Sequence, residues 1–549
     1  MKMKFMRKVT ALFLALAMIL GMTVTVSAIG STDTGTIQVI GAEPGVSVTA
    51  YRLMDVNYDF DNADQPVDPV YEWVDTLAGW VRENYSAYIG TGTDNSVQEA
   101  FSSTAATDDI AAFYDALAAQ IRSNSITLDS ETETADGGDV DITDLVMGNY
   151  LVLVENGMKV YSPSAVNLVP VWNDEKDAWE MSTPAVVNLK SEEVSITKTA
   201  ETADDSDITA SIGDRVNYTV TADVPGYPAA TLDDNKTFNI YDTLQAGLTL
   251  DADSIRVTGY VGGTEGEEIN LTDGNAGNPY YTLTTTDAAD LDGTGVSFSL
   301  AFNYDNLKDD SNAKFDTIRV TYSAAVNKDA LVFNSNADSG NLGNTAKLSY
   351  SNNPYATTVS YKDVTDDAKV YTYGIKITKV DSDDDSQLLP GAEFTVSLSE
   401  NGSNPISFVK TGDGAYRKAE SGTEAGVTTV TTVTVGAEGS GVQGMLTLSG
   451  LDADTYYLTE TKAPDGYNKL GSSIEITIAD TEPNGIVNDG TDSADGADGY
   501  VEKKVENSDG FQLPTTGGIG TILFTAGGIL LMGLGVIVLV FVILRRRRS

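Results

Sequence analysis

The sequence predicts a mainly β protein built as tandem β-sandwiches, with helical insertions in the first of them. Three observations lead there. From Val216 onward, short runs rich in Val, Ile, Thr and Tyr alternate apolar and polar residues, as in Val216-Asn217-Tyr218-Thr219-Val220 and Ile375-Lys376-Ile377-Thr378-Lys379-Val380. Gly, Asn and Asp punctuate these runs, which is the pattern of half-buried antiparallel strands joined by turns. Two earlier stretches, Val70 to Tyr85 and Asp108 to Arg122, place apolar residues at helical spacing instead, as at Ile110, Phe113, Tyr114, Leu117 and Ile121. They are expected to pack on the first sheet, with the aromatic stripe as core.

Both ends carry sorting information. Lys2, Lys4, Arg7 and Lys8 form a basic patch, Val9 to Met22 is uncharged, and Val26-Ser27-Ala28 offers small residues for cleavage. That is the grammar of an export signal, and its apolar part is short for a bilayer span. Residues 1–28 are therefore expected to be removed. At the other end, Ile519 to Leu544 is uncharged and long enough to cross a membrane, and Arg545 to Arg548 follow at once as a positive stop. Leu513-Pro514-Thr515-Thr516-Gly517 stands just before that span. Between the ends, strand patterns break near Lys190 to Glu193 and near Asp363 to Lys369. The expected units are 29–190, 191–368 and 369–511, with a tail over 512–549.

Composition excludes several classes of function. Without the eight basic residues of the two ends, 26 Lys and Arg face 80 Asp and Glu, a net charge of −54 over residues 29–516. Such a surface repels nucleic acid and anionic lipid. With 41% hydrophobic residues the chain has enough apolar content for packed cores. It has no Cys and no His, which removes thiol nucleophiles, disulfides, cysteine zinc sites and every His-based triad or metal site. No phosphate loop, dinucleotide fingerprint or nucleophile elbow is present. Asp55 to Asp59 begins like a calcium loop, but Phe60 stands where Gly is needed and Pro66 where a bidentate Glu belongs. No cofactor and no metal are expected.

Motif, apolar span and Arg cluster, in that order, resemble the cell-wall sorting signal read by sortase transpeptidases. The resemblance implies cleavage between Thr516 and Gly517, with the Thr516 carboxyl passed to an amine. Within the third unit, Tyr456-Tyr457-Leu458-Thr459-Glu460-Thr461-Lys462-Ala463-Pro464-Asp465-Gly466-Tyr467 resembles the E-box of collagen-adhesin B-type (SpaA-type) pilin domains. Ile375 to Asp381 and Leu389-Pro390-Gly391-Ala392-Glu393-Phe394 look like that family's first strand and turn, and Val505-Glu506-Asn507 like its last strand. In the middle unit, Ile196-Thr197-Lys198, Ser211-Ile212-Gly213-Asp214, Ile240-Tyr241-Asp242-Thr243-Leu244 and Asn344-Thr345-Ala346 resemble the isopeptide-forming D2 domain of fimbrial major subunits. Taken together the chain looks like an LPXTG-anchored shaft pilin of a Gram-positive bacterium. That likeness implies immunoglobulin-like sandwiches of the collagen-adhesin A and B types.

The chemistry that the likeness implies has a physical basis. A lysine buried among apolar groups is driven towards its neutral, nucleophilic amine, and a buried carboxyl towards its protonated form. A protonated carboxyl polarises an asparagine carbonyl, and fixed proximity makes amine attack on that amide intramolecular. Ammonia leaves and a Lys–Asn isopeptide bond remains. By resemblance, Lys376 is the nucleophile of the third unit, Asn507 its acceptor and Glu460 the proton-handling acid. Lys379 is the rival nucleophile, three positions on and so on the opposite face of the strand. In the middle unit Lys198 joins Asn344 and Asp242 assists.

A shaft pilin also needs a lysine that accepts the neighbour's Thr516, found in the family at the end of the first domain after Tyr-Pro. Lys190, after Pro184-Ala185-Val186-Val187-Asn188-Leu189, has the position without the Tyr-Pro pair, and Lys176 and Lys159 are the alternatives. The implied protein is secreted, anchored to the wall and structural rather than enzymatic. Its partners would be copies of itself, sortase, peptidoglycan, minor pilins and a host-surface ligand. A monomeric wall-anchored adhesin, or a minor or basal pilin, shares the same terminal features.

Overall fold

The computed structural model describes residues 33–546 except 60–64, 103–106, 174–177, 182–183, 203–207, 229–230, 263–266, 272–279, 287–294, 309–314, 335–339, 341, 421–423, 425, 481–483, 488–497 and 510–518. The expected export signal over 1–28 and the Leu513 to Gly517 motif lie outside the described residues. The chain is a tandem of β units, as its alternating pattern requires.

In the first group of strands, Thr34–Ala42 pairs in parallel with Ala185–Asn188 and antiparallel with Gly138–Val146. The opposing sheet runs Gln65–Trp73, Ser47–Asp59, Gly148–Glu155, Ser164–Leu168. Its strand Gly148–Glu155 is buried on both faces. Tyr150 and Val152 meet Ile37, Val39 and Ile142 inside the sandwich, while Leu151 and Leu153 meet the helices on the other side. A strand covered on both faces loses its alternation and becomes a continuous apolar run, as Tyr150 to Val154 does.

The helices Asp75–Asn84 and Thr107–Arg122 bury Leu77, Val81, Phe113 and Leu117 in that outer core. Trp73, Phe101 and Phe113 meet there with ring centroids 5.0–5.5 Å apart. The second helix matches its expected span. The first starts later than its periodicity implied, because Val70 to Trp73 finish a strand paired with Ser47–Asp59.

The middle group is a sandwich of two five-stranded sheets. One runs Ile196–Thr202, Arg215–Asp223, Thr317–Val326, Leu248–Val261, Glu267–Leu271. The other runs Tyr281–Thr285, Phe298–Phe302, Phe238–Leu244, Gly343–Tyr350, Lys362–Lys369. Their inner faces share one core that includes Tyr218, Val220, Ile240, Phe298, Val320 and Leu348.

In the third group a six-stranded sheet ends with Met445–Leu451, Tyr373–Asp381 and Tyr500–Asn507. It faces a four-stranded sheet of Thr432–Thr434, Glu393–Ser397, Thr455–Lys462 and Ile474–Thr477. Tyr373–Asp381 pairs in parallel with Tyr500–Asn507, so the first and last strands of this group lie side by side.

The tail is one helix, Ile519–Arg546, whose stretch Gly527–Arg546 has a mean hydropathy of 2.9 and buries nothing against the rest of the protein. An apolar helix left bare is suited to lipid rather than water.

Candidate functional site: two buried lysine, acid and asparagine clusters

Strand parity builds the first cluster. Along Ile196–Thr202 the residues alternate buried and exposed, so Lys198 points inward with Ile196 and Ala200. Asp242 faces it from the opposite sheet, inward with Ile240 and Leu244. Both side chains are 0% exposed, and Lys198 Nζ is ion-paired with Asp242 Oδ2. Asn344, also fully buried, is the second residue of the strand next to Asp242's, in the register Leu244 opposite Asn344.

The cluster sits in an aromatic box. Tyr218 and Tyr322 lie opposite each other in register and stack at 5.3 Å, and Lys198 Nζ is 5.3 Å from each ring centroid. Phe298 closes the box edge-on to Tyr322 at 5.0 Å. Lys198 Nζ donates to the Tyr322 hydroxyl at 2.6 Å, and Asn344 Nδ2 donates to the same oxygen at 2.8 Å.

Desolvation here penalises charge on both partners. It pushes the Lys198 ammonium down against the pull of Asp242, and the Asp242 carboxyl up against the pull of Lys198. Asp242 Oδ1 and Asn344 Oδ1 are buried without a hydrogen-bond partner. Two orphaned acceptors in one cluster are what a carboxyl lacking one proton would leave, since protonation turns an acceptor into a donor.

The second cluster corrects the expectation for Lys376. Ile375 and Ile377 face the core of their strand, and Lys379 shares their parity. Lys379 is 0% exposed and its Nζ donates to the Val505 carbonyl at 3.0 Å. Lys376 faces the other way. Its side chain is 36% exposed and its Nζ lies 3.2 Å from Asp498 Oδ2, 3.4 Å from Glu502 Oε1 and 4.4 Å from the Tyr500 ring centroid. The structure does not bring Lys376 to Glu460 and Asn507.

Glu460 and Asn507 are each 1% exposed, and Asn507 Nδ2 donates to Glu460 Oε2 at 3.0 Å and to the Asn468 carbonyl at 2.6 Å. The backbone N–H of Leu470 donates to the same Glu460 oxygen at 2.7 Å. Glu460 Oε1 and Asn507 Oδ1 are buried without a partner, as in the first cluster. Desolvation pushes Lys379 down to about 8, and the pull of Glu460 only partly opposes it. A lysine at that value carries an appreciable fraction of free amine near neutral pH.

Lys190 lies at the surface. It opens the short strand Lys190–Glu192, opposite Ser162, and lines a cleft of ≈ 520 Å³ with Tyr114, Asp115, Ser164, Tyr227 and Pro228. Partial desolvation lowers its ammonium. Lys159 is half-buried, with its backbone N–H bound to Glu43, and Lys176 lies outside the described residues.

Sequence reading missed Tyr322. Its signal is the inward series Ile318, Val320, Tyr322, Ala324, where one hydroxyl interrupts an otherwise apolar face.

Residues 373–491 match the SpaA family, described as a prealbumin-like fold domain, and residues 505–549 match the LPXTG cell wall anchor motif. Among curated protein sequences none matches the chain. Among solved structures, the T6 backbone pilin of serotype M6 Streptococcus pyogenes is similar with a TM-score of 0.54 at 19% identity, over 88% of this chain and 100% of that one. The full-length major pilin SpaD from Corynebacterium diphtheriae aligns with a TM-score of 0.45 at 19% identity, over 88% and 99% of the two chains. The first of these likenesses shows a shared fold. The tail is a cell-wall anchor segment, and the units ahead of it have a pilin-like β fold.

Proposed function

We propose that this chain is the shaft subunit of a sortase-assembled covalent pilus. A transpeptidase would cleave after Thr516 and join its carboxyl to Lys190 of the next subunit, and the last subunit would be fixed to peptidoglycan. The units 29–190, 191–368 and 369–511 would form the rod.

The observation that carries this reading is the repetition of one chemical arrangement in two successive sandwiches ahead of a wall anchor. In one, Lys198 pairs with Asp242 and shares the Tyr322 hydroxyl with Asn344; in the other, the pull of Glu460 reaches Lys379 while Asn507 donates to Glu460. Lys198 would attack Asn344 Cγ with Asp242 handling the proton, and Lys379 would attack Asn507 Cγ with Glu460 in that role. In each case the Nζ–Cγ bond forms, the Cγ–Nδ2 bond breaks and ammonia leaves. The chemistry runs once per bond, so the chain is a structural substrate and not a turnover enzyme. Pulling force entering at Lys190 would then cross to the C-terminus through amide bonds, without peeling the sheets that those bonds bracket. The cleft beside Lys190 supports its role as acceptor, since it gives an extended peptide access to the amine.

Co-expression with its pilus sortase tests the reading. A detergent-resistant ladder that Lys190→Ala abolishes is expected. A single band would point to a monomeric wall-anchored adhesin, and one adduct without a ladder to a minor or basal pilin.

A further inference from the structure

In the middle unit the groups that must exchange a proton are bridged by a tyrosine, whereas in the third unit they are not. Amine attack on an amide has two proton tasks. The attacking nitrogen must lose a proton, and the departing nitrogen must gain one before it can leave as ammonia. In the third unit Glu460 Oε2 lies 3.0 Å from Asn507 Nδ2, so the acid touches the leaving nitrogen directly. In the middle unit both nitrogens bond instead to the Tyr322 hydroxyl, Lys198 Nζ at 2.6 Å and Asn344 Nδ2 at 2.8 Å. Asp242, paired with Lys198 Nζ, lies near enough for its charge to act on that hydroxyl. A phenol oxygen accepts two hydrogen bonds and donates one, so both of its acceptor positions are taken by the two reacting nitrogens.

We infer that Tyr322 is a catalytic residue of the Lys198–Asn344 cross-link, relaying a proton from the attacking amine to the leaving amide nitrogen. The inference rests on the reading of that pair as bond-forming. The neutral Lys198 amine attacks Asn344 Cγ, and the Asp242 proton passes to Asn344 Oδ1 as that oxygen takes up the electron pair. The attacking nitrogen, now positively charged, gives a proton to Tyr322 Oη while the hydroxyl gives its own to Nδ2. That nitrogen has become tetrahedral and has a lone pair to receive it. The Cγ–Nδ2 bond then breaks, ammonia departs, the carbonyl re-forms and its proton returns to Asp242. Tyr322 ends as it began.

Burial supports the neutral relay. It holds the Tyr322 phenol well above its ordinary value, so the hydroxyl passes protons without resting as a phenolate. Stacking on Tyr218 and the edge of Phe298 hold the ring in place.

The test follows both cross-links in the full-length chain, synthesised cell-free in detergent and sampled over time by peptide mass spectrometry. Tyr322→Phe keeps the ring and removes the relay. The Lys198–Asn344 peptide is expected to form about 10²-fold more slowly, and the Lys379–Asn507 peptide at the wild-type rate. Fluorotyrosine at 322 preserves the shape and acidifies the phenol. It is expected to change the rate of the first bond, with the ring's shape and packing kept, and leave the second unchanged. A wild-type rate in Tyr322→Phe overturns the relay. So does a slow Tyr322→Phe with fluorotyrosine at the wild-type rate, which would make Tyr322 a packing residue. A wild-type chain that never joins Lys198 to Asn344 would overturn the cross-link as well as the relay.

Discussion

Lys376 and Lys379 stand three residues apart on one strand and present their amines to opposite environments. Lys379 Nζ is sealed in the core beside the Val505 carbonyl, 3.0 Å away, while Lys376 Nζ is shared between Asp498 and Glu502 at the surface. An odd separation on a strand always divides two residues between faces, and the apolar neighbours decide which face is inner.

This pair yields a sharp prediction. Lys379→Ala is expected to abolish the loss of one ammonia in the third unit, and Lys376→Ala to leave it intact. By the chain-entropy treatment of a cross-link closing more than about a hundred residues, the lost bond should lower stability by ~4–5 kcal/mol. Intact mass and thermal denaturation of the two variants check both parts.

Asp242→Asn keeps the size of the side chain but removes the acid and the partner of Lys198. The middle unit is expected to keep its ammonia and, lacking the cross-link, to lose about 4–5 kcal/mol in the chain-entropy treatment. Peptide mapping with the third-unit bond as internal reference measures the first effect, and denaturant unfolding the second.

The depressed Lys379 amine gives a pH dependence. Its value is about 8 in the fold against an ordinary 10.5, so between those limits the unfolded chain binds more protons than the folded one. Stability of the fold without its cross-link must therefore rise with pH across that window and be insensitive to Lys379 below it. Asn507→Ala, which keeps the amine but cannot bond, should gain thermal stability over this range relative to the double variant Lys379→Met, Asn507→Ala. A difference that falls with pH would contradict the buried placement. In the wild type, formation of the Lys379–Asn507 bond should accelerate with pH up to about 8 and then level off.

Gly450 tests the junction between the middle and third units. Its φ is +77°, and a Cβ there would lie 2.3 Å from Ile212 Cδ1. Around it, the Ile212 N–H donates to the Gly450 carbonyl at 3.0 Å, Lys418 Nζ to the Ile212 carbonyl at 2.6 Å, and the Ala210 N–H to the Tyr371 carbonyl at 2.9 Å. Gly450→Val is expected to cost about 1–3 kcal/mol in backbone strain and overpacking. It should open the segment around Tyr371 to limited proteolysis while leaving both cross-links formed.

Much of the site was legible in the one-dimensional pattern. The alternation Ile196, Lys198, Ala200 already puts a lysine on an apolar face, and Ile240, Asp242, Leu244 does the same for an acid. The same rule, applied to Ile375 and Ile377, selects Lys379, whereas the family likeness had pointed to Lys376. The late start of the first helix was hidden because Val70, Tyr71 and Trp73 suit a buried face in either conformation. Only the pairing of that segment with Ser47–Asp59 makes it a strand.

The sequence by itself determined the C-terminal anchor pattern, the charge, the absence of thiol and imidazole chemistry, and the strand-rich character. Each of these is a property of residue types and their spacing. Only the tertiary structure decided which polar groups meet. Lys198, Asp242, Tyr322 and Asn344 come from four strands in two sheets, and Lys379, Glu460 and Asn507 from three. Their desolvation is the work of side chains far away in the chain, and no local pattern records which of many lysines and carboxylates will lose its water.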